Sequence, residues 1–508
     1  MNDSRLSSRR AFIGGSALLA AAALAPRLPA QGSEKPSGAA PAGGLTPRPE
    51  LAGGVFPADF WWGAATASYQ IEGAAAEDGR TPSIWDSFSR TPGRTLNGDT
   101  GDVACDHYHR MEEDLRLMAD LGVKHYRFSI SWSRVLPEGR GRVNEKGLDF
   151  YRRLCDTLQK HGITPHATLY HWDLPQALQD AYAGWENDRV VDDFADYASL
   201  MAGRLGDRIR HWLTLNEIQT FAARGGYSVD KPGKHAPGIQ LASKQLHRQL
   251  VHRVLLAHGK ACQALRAASP GRCSVGLAEN YSALVPIIET PEHVAAARKA
   301  FVEDESNGAI LMPLLTGRYP EAWLEARRDS APRFTDSEMR LIAQPLDILG
   351  FNCYSGTYVR AAATPAGYER VPSYAAYPKM NISWLNHVPE SIYWGTRLVG
   401  ETTGLTRLPI LITENGCPDG NMPQPSGLVL DTDRIMYLRA YLRNVQRAAA
   451  EGYPIVGYFP WSFMDNYEWA EGYAKRFGLV RVDYDTQRRT PKASYEWYQS
   501  VIRANRVL

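Results

Sequence analysis

Short apolar runs recur at eight places along the chain, and stretches with apolar residues at three- and four-residue spacing lie between them. Strands that alternate with helices in this way are typical of a closed (β/α)8 barrel, not of an open sheet. We therefore predict an α/β fold, a single TIM barrel over residues 55–508, with active-site loops at the C-terminal ends of its strands. The predicted strands span residues 60–65, 125–131, 164–170, 211–216, 274–280, 346–352, 409–414 and 455–461.

The stretches between these strands show where helices lie and end. Apolar periodicity predicts helices over residues 111–120, 146–160 and 431–451. Gly122 and Gly162 follow the first two, and glycine is common just past the end of a helix. Residues 354–389 lack helical periodicity and are rich in Ala, Pro and Tyr. We interpret them as one long active-site loop.

A glutamate ends one predicted strand and directly follows another: Glu414 in ITENG at residues 412–416 and Glu217 in TLNE at residues 214–217. The carboxyl ends of barrel strands converge on one face, so Glu217 and Glu414 can meet there. Two facing carboxylates are the minimum required to cleave a glycosidic bond. A lone glutamate at a strand end more often points to solvent or pairs with arginine. Two of them, each with a neighbouring Asn and in a chain with 13 Trp and 25 Tyr, favour a carbohydrate site.

Charge and cysteine spacing exclude other classes of site. The net charge is +2, and no run of Lys or Arg is longer than two residues, as in Arg9-Arg10 and Arg488-Arg489, which argues against a nucleic-acid partner. The six cysteines show no C-x-x-C and no metal-ligand spacing, so we predict no metal. Cys262 and Cys273 are the closest pair, but sequence does not establish a disulfide, and buried free thiols are the expected state for most of the six.

The first 30 residues are predicted to be an export signal. Arg9-Arg10 precedes a short Ala-rich apolar run and a small residue at position 30. The arginine pair indicates twin-arginine export, and hence a periplasmic or secreted protein with no stable membrane insertion after cleavage. An uncleaved membrane anchor is the alternative, but the apolar run is shorter than the roughly 20 residues needed. Residues 31–54, rich in Gly, Pro and Ala, are predicted to be a disordered linker.

Several motifs, taken in order, carry a family resemblance. From about residue 56 to 498 the chain resembles the family 1 glycoside hydrolases, the β-glucosidase family. The motifs, together with the two glutamate motifs, are FWWGAATASYQIEGA at residues 60–74, PSIWD at 82–86, GDTGDVACDHY at 98–108, YRFSISW at 126–132, LYHWDLP at 169–175 and WSFMDNYEW at 461–469.

The resemblance implies roles for the two glutamates. Glu414 corresponds to the nucleophile and Glu217 to the acid/base of a retaining mechanism with a covalent glycosyl-enzyme and no cofactor. Carboxyl groups in such enzymes lie about 5–5.5 Å apart. Arg127 is the implied cationic partner of Glu414, and Tyr354 the implied hydrogen-bond donor to it. Taken alone, Arg127 would be read as part of a surface ion pair and Tyr354 as a wall residue.

Seven further residues match positions that bind the sugar. Amide, imidazole and carboxylate groups suit this task because they donate or accept hydrogen bonds in fixed directions. The resemblance places Asn216 at the 2-hydroxyl and Trp461 beneath the sugar ring; a core role is the alternative for His171 and Trp461. The full set is Gln70, His171, Asn216, Asn352, Trp461, Glu468 and Trp469.

The implied activity is that of an exo-acting β-glycosidase, most often a β-glucosidase, with galactoside or fucoside side activity. A carboxylate at Glu468 would repel a phosphate, which favours unphosphorylated substrates. A transglycosylase is the enzymatic alternative, and a sugar-binding protein without activity is the other; the presence of both glutamates argues against the latter. Departures from the family, which usually has proline at Ile218 and tyrosine at Cys353, lie with residues 307–310 and 380–386 on the expected aglycone side.

Overall fold

Eight parallel strands close into a barrel in the computed structural model, which describes residues 45–508. Each strand pairs with its neighbours in chain order, and the last pairs with the first, so the predicted (β/α)8 barrel is confirmed. Every predicted strand lies within two residues of the observed bounds. The strands are β1 Trp61–Ala65, β2 His125–Ser129, β3 Thr164–Tyr170, β4 His211–Asn216, β5 Ser274–Glu279, β6 Ile348–Asn352, β7 Ile410–Asn415 and β8 Ile455–Pro460.

A helix of at least twelve residues follows each barrel strand. In the helix Glu145–Lys160, the buried residues recur at three- and four-residue spacing, as its amphipathic pattern predicts. Gly122 and Gly162, just past the ends of the helices His107–Leu121 and Glu145–Lys160, have φ of 92° and 66°, a region that glycine enters without steric cost. The helices are α1 His107–Leu121, α2 Glu145–Lys160, α3 Arg189–Leu205, α4 Lys244–Ala268, α5 Pro291–Glu303, α6 Glu390–Thr403, α7 Thr432–Ala450 and α8 Ala493–Ala504.

Shorter helices and strands lie outside the eight barrel strands and the eight long helices. Short α-helices span Ser68–Ile71, Ile84–Ser89, Trp132–Val135, Gln176–Tyr182, Met312–Thr316, Glu321–Arg327 and Asp336–Ile342. One-turn 3₁₀ segments span Pro49–Leu51, Leu96–Gly98, Gly184–Glu186, Arg328–Ser330 and Trp469–Glu471, and π-helical segments span Gln219–Gly225 and Asn307–Leu311. Additional strands span Tyr227–Ser228, Ile239–Gln240, Leu284–Pro286, Thr357–Ala361, Tyr368–Arg370, Val480–Val482 and Arg489–Pro491.

The prediction of one long loop over residues 354–389 is wrong in part. Thr357–Ala361 pairs in parallel with Leu284–Pro286, and Tyr368–Arg370 pairs antiparallel with Thr357–Ala361, so three short strands form a small sheet. The pairing partner lies more than 70 residues away in the chain. Local periodicity does not reveal such a pairing, because Thr357–Ala361, the central strand of this sheet, forms hydrogen bonds with a segment far away in the chain.

The amino ends of the barrel strands are closed by aromatic rings. The rings of His166 and His211 stack with centroids 4.4 Å apart, and Trp61 stacks on His125 at 4.9 Å. Burial lowers the pKa of His125 to about 4, so it is neutral near pH 7. This end of the barrel is therefore packed core, and the opposite end, where the strands finish, is the place for a site.

Residues 45–54, part of the predicted linker, pack against the barrel. Leu51 is 3% exposed, the Arg48 N–H donates to the carbonyl of Ala450 (2.7 Å), and the Gln446 side chain donates to the carbonyl of Leu51 (2.6 Å). These ten residues therefore belong to the barrel domain. The predicted signal, residues 1–30, and residues 31–44 of the predicted linker lie outside the described residues.

All six cysteines are buried free thiols, Cys262 and Cys273 included. Over residues 45–508 no helix has the length and apolar character to cross a membrane. The same part of the chain contains no grouping of His, Cys, Asp and Glu side chains suited to a metal ion.

Candidate active site

Glu217 and Glu414 lie at the carboxyl ends of β4 and β7, each beside an irregularity in the strand pairing. The register of β4 against β5 shifts between Leu213 and Asn216, and that of β7 against β6 shifts between Ile412 and Glu414. Bulges of this kind redirect the side chains that follow them. The two glutamates are 7% and 4% exposed, so both carboxyl groups are held largely away from water.

Glu414 is paired with a buried cation. Arg127, in the middle of β2, donates from its Nη1 to one carboxylate oxygen of Glu414 (2.6 Å), and the Tyr354 hydroxyl donates to the other (2.7 Å). The same Arg127 nitrogen also donates to the carbonyl of Thr413 (3.2 Å), which keeps the guanidinium in place. Burial raises the pKa of Glu414, and Arg127 and Tyr354 oppose that rise because both stabilise the carboxylate.

Glu217 has a neutral partner instead. The Asn352 side-chain amide donates to Glu217 Oε1 (2.8 Å) and to Asn216 Oδ1 (2.9 Å), and its own oxygen accepts from the Thr413 hydroxyl (2.6 Å). Burial and the charge of Glu414 raise the pKa of Glu217 to about 8, against the opposing effect of Asn352. The site therefore holds one carboxyl group beside a buried cation and one beside a neutral amide, the second with a pKa raised to about 8.

The orientation of Asn216 is determined by its neighbours. Its Oδ1 accepts from Arg127 Nη2 (2.6 Å) and from Asn352, so its Nδ2 must face the other way, toward His171 Nε2 (3.0 Å). Burial lowers the pKa of His171 well below its usual value, so the ring is neutral and Nε2 accepts. Nδ2 of Asn216 carries a second hydrogen with no partner among residues 45–508, which leaves it available to a ligand hydroxyl.

Gln70 and Glu468 form a second polar pair. Gln70 Nε2 donates to the carbonyl of Tyr467 (2.8 Å) and to Asn466 Oδ1 (3.1 Å), and lies 3.4 Å from Glu468 Oε2. The opposite atom, Gln70 Oε1, is buried and has no partner within the described residues. Burial, with the charges of Glu414 and Glu217, raises the pKa of Glu468 to about 8. Three carboxyl groups therefore influence one another in this pocket.

Aromatic rings join the two halves of the site. The His171 ring stacks against Trp461 (centroids 5.7 Å apart) and against Trp469 (5.8 Å). Trp172 packs on Trp469 at 4.5 Å and donates its indole N–H to the carbonyl of Asn216 (2.9 Å). The structure thus brings all the predicted site residues into one connected cluster: Gln70, Arg127, His171, Asn216, Glu217, Asn352, Tyr354, Glu414, Trp461, Glu468 and Trp469.

Comparison with known proteins identifies the family to which this site belongs. The model of glycosyl hydrolase family 1 matches residues 53–507, nearly the whole described part of the chain. The chain belongs to this family. It is therefore a glycoside hydrolase of family 1, and the resemblance predicted from its motifs is confirmed.

Relatives of this family 1 glycoside hydrolase are similar over almost their full lengths. The 1,4-β-D-glucan glucohydrolase of Thermotoga neapolitana is 45% identical, covering 89% of this chain and 98% of that protein. The bifunctional β-D-glucosidase/β-D-fucosidase of Bifidobacterium breve is 42% identical, covering 88% and 98%. A solved structure, the β-glucosidase from Thermotoga maritima in complex with deoxynojirimycin, is 43% identical, covers 89% and 100%, and superposes with a TM-score of 0.79.

Four residues of the site in this family 1 enzyme were not predicted from the sequence. Thr413 and Trp172 lie within the ITENG and LYHWDLP motifs, but the sequence analysis assigned them no role. Trp384 lies in the divergent segment 380–386; its ring is edge-on to Tyr354 (5.7 Å), and the residue is 51% exposed. Trp384 therefore lies on the solvent-exposed side of Tyr354, the residue that donates to Glu414. The fourth, Glu279, ends β5 as Glu217 follows β4, which is the signal that could have identified it.

Proposed function

We propose that this enzyme is an exo-acting retaining β-glycosidase, chiefly a β-glucosidase, that hydrolyses unphosphorylated β-glucosides through a covalent glycosyl-enzyme. The observation that carries the proposal is the unlike setting of the two glutamates: Glu414 is paired with Arg127 and Tyr354, whereas Glu217 bonds to an amide and has a pKa raised to about 8. A retaining glycosidase needs an ionised nucleophile and a protonated acid, and this arrangement supplies both.

In the first half of the reaction, a carboxylate oxygen of Glu414 attacks the anomeric carbon. The bond from that carbon to the leaving oxygen breaks, and Glu217 gives its proton to that oxygen, so the aglycone leaves as a neutral alcohol. The glycosyl group is then an ester of Glu414.

In the second half, Glu217 acts as a base. Its pKa falls once Glu414 is esterified, because the negative charge of Glu414 no longer opposes its ionisation. Glu217 takes a proton from water as the water oxygen attacks the anomeric carbon, and Glu414 leaves as a carboxylate. Arg127 and Tyr354 stabilise that departing carboxylate, and two inversions give net retention.

The glycone is proposed to bind between the two polar groups of the site. The free hydrogen of Asn216 Nδ2 is directed to the 2-hydroxyl, and the unpartnered Oε1 of Gln70 accepts from a hydroxyl farther along the ring. Trp461 provides an apolar face on which the sugar ring stacks. Glu468 lies half-buried in the same pocket, and its ionised form would repel a 6-phosphate at close range.

A panel of aryl β-glycosides tests this substrate assignment. We expect the β-glucoside to give the highest kcat/KM, the β-fucoside to be hydrolysed as well, and the 6-phospho-β-glucoside to be inert. The relatives named for glucan, glucoside and fucoside activity support the first two expectations. Preferred turnover of the 6-phosphosugar would contradict the assignment, and sugar transfer exceeding hydrolysis would make the enzyme a transglycosylase.

The pH dependence of kcat/KM follows from the two glutamates. Activity needs Glu414 ionised, so kcat/KM rises with pH through the pKa of Glu414; it needs Glu217 protonated, so kcat/KM falls above about pH 8. For Glu217→Gln, assayed with an aryl glycoside whose leaving group needs no proton, the fall at high pH should vanish while the rise at low pH remains. An unchanged fall in that variant would assign it to another group.

We also propose that the enzyme acts in the periplasm or outside the cell. The support is the sequence of residues 1–30, in which Arg9-Arg10 precedes a short apolar run. Replacing the pair by Arg9→Lys and Arg10→Lys should leave active precursor in the cytoplasm of a bacterium that expresses the full chain. Fractionation followed by β-glucosidase assay measures this, with Arg152→Lys/Arg153→Lys, at an arginine pair on the surface of α2, as the matched control. Normal periplasmic activity after the first replacement would refute the twin-arginine route.

A further inference from the structure

The peptide that follows Glu217 contains a buried donor where the family usually has none. Proline, common at this position in family 1, has no backbone N–H, whereas Ile218 has one. Ile218 is fully buried, so this N–H is out of reach of water and requires an acceptor inside the protein. The substitution therefore creates a polar group within the catalytic loop that another residue has to satisfy.

Glu279 supplies the acceptor. This residue ends β5 and is 1% exposed; its Oε2 accepts from the N–H of Ile218 (2.8 Å) and its Oε1 from the N–H of Gln219 (3.1 Å). Burial raises the pKa of Glu279 to about 7, while the two N–H groups and the Arg224 guanidinium oppose that rise. Both oxygens are thus used on two consecutive peptides, directly after the acid/base residue.

The backbone of Glu217 needs such support. Its φ is 51°, in the left-handed region that non-glycine residues avoid. Its own N–H donates to the carbonyl of Ala278 (2.8 Å), and the next two N–H groups donate to Glu279. Two adjacent residues at the end of β5 therefore hold the chain on both sides of the Cα atom from which the acid/base side chain departs.

Glu279 also acts on Glu217 through its charge. Burial is the main cause of the raised pKa of Glu217, and the charge of Glu414 is the second. The nearby Glu279 carboxylate also raises this pKa. Removing that carboxylate would therefore make Glu217 release its proton at lower pH. A residue that only filled space at this position would have no such effect.

We propose that Glu279 is a positioning residue for the acid/base Glu217. By accepting from the N–H of Ile218, its carboxylate restrains the backbone at this position, as a proline ring restrains it in relatives. This proposal rests on the assignment of Glu217 as the acid/base. Ile218 has φ −53°, which a proline ring also adopts, so the two solutions fit one backbone conformation. Ile218 and Glu279 therefore depend on each other, because the N–H of the first needs the carboxylate of the second.

The experiment compares Glu279→Gln with the double variant Ile218→Pro/Glu279→Gln. In the single variant the amide has one oxygen for two N–H groups, so its NH2 group must face the N–H of either Ile218 or Gln219, which places two donors together with no acceptor. We expect kcat/KM to fall at least about tenfold for β-glucosides with poor leaving groups, and less for activated aryl glucosides. The basic limb, which is the fall of kcat/KM at high pH, should move to lower pH. In the double variant proline removes the opposing donor, so the dependence on leaving group should return close to that of the wild-type enzyme.

Asp304→Asn is the matched control for general destabilisation. Asp304 is 3% exposed and, like Glu279, accepts from two backbone N–H groups, those of Ser306 (3.0 Å) and Asn307 (3.1 Å). It should lower the Tm without changing the dependence on leaving group or the basic limb. Equal behaviour of Asp304→Asn and Glu279→Gln would overturn the proposal.

Two further outcomes decide the proposal. Failure of the double variant to recover the wild-type leaving-group dependence would overturn it, as would a double variant that does not fold. If Glu279→Gln alone does not fold, a folded double variant with wild-type behaviour supports the proposal. Absence of β-glycosidase activity in the wild-type enzyme itself would instead refute the proposed function, so the two failures are distinguishable.

Discussion

Glu414→Ala is expected to lower kcat for aryl β-glucosides by a factor on the order of 10⁵ or more, because no covalent intermediate can form. Arg127 would then face a cavity without its carboxylate partner, and the remaining groups would stabilise no leaving carboxylate. Steady-state hydrolysis of an activated aryl glucoside measures the loss. Glu496→Ala, a change at an exposed position on α8, should leave kcat unchanged and serves as the control.

Covalent labelling tests the same residue directly. A 2-deoxy-2-fluoro β-glucoside with a good leaving group should form the glycosyl-enzyme and then hydrolyse slowly, since the fluorine destabilises the oxocarbenium-like transition state of the second step. Mass spectrometry of peptides should find the added sugar on Glu414 at one equivalent per chain. A label on any other residue, or none on active enzyme, would show that Glu414 is not the nucleophile.

Glu217→Ala is expected to separate the two halves of the reaction. Glucosides with poor leaving groups should lose activity by a factor on the order of 10³ or more, since their leaving oxygen must be protonated as the bond breaks. Activated aryl glucosides should still glycosylate Glu414 and then stall, because no base remains to activate water. A burst of released phenol followed by a slow steady state is the expected record in stopped-flow measurements.

Azide distinguishes a missing base from a damaged site. Azide needs no deprotonation, so it should restore turnover of Glu217→Ala on activated glucosides and give the β-glucosyl azide. The Asp304→Asn enzyme, with its acid/base present, should show no such activation. An α-azide product would mean direct displacement without a covalent intermediate, and no rescue of a folded variant would remove Glu217 from the acid/base role.

The strands and their ends follow from local sequence. Barrel strands are buried on both faces, so they appear as short apolar runs bounded by polar residues, and all eight were located within two residues. The alternation of these runs with helical periodicity leaves few alternatives to a closed barrel. The glutamates at the ends of β4 and β7, and the motifs of the family, are likewise visible in the sequence alone.

The sequence predicts less where a residue's contacts are with a segment far away in the chain. The small sheet formed by Thr357–Ala361 depends on Leu284–Pro286, and no local pattern within residues 354–389 announces it. The role of Asn352 as a bridge between Glu217 and Asn216 depends on three strand ends meeting at one point. Such contacts join residues that are far apart in the chain, so they exist only after the barrel has closed.

The sequence by itself determined the fold class, the family and the two carboxylates of this protein, because each is encoded by residue types within short segments. The family resemblance implied different roles for them, but only the tertiary structure shows the contacts that make the two carboxylates differ. Arg127 reaches Glu414 from β2, and Glu279 reaches the peptide after Glu217 from β5. Burial and charge at these distances determine the pKa values of both groups, and burial and distance are properties of the folded chain.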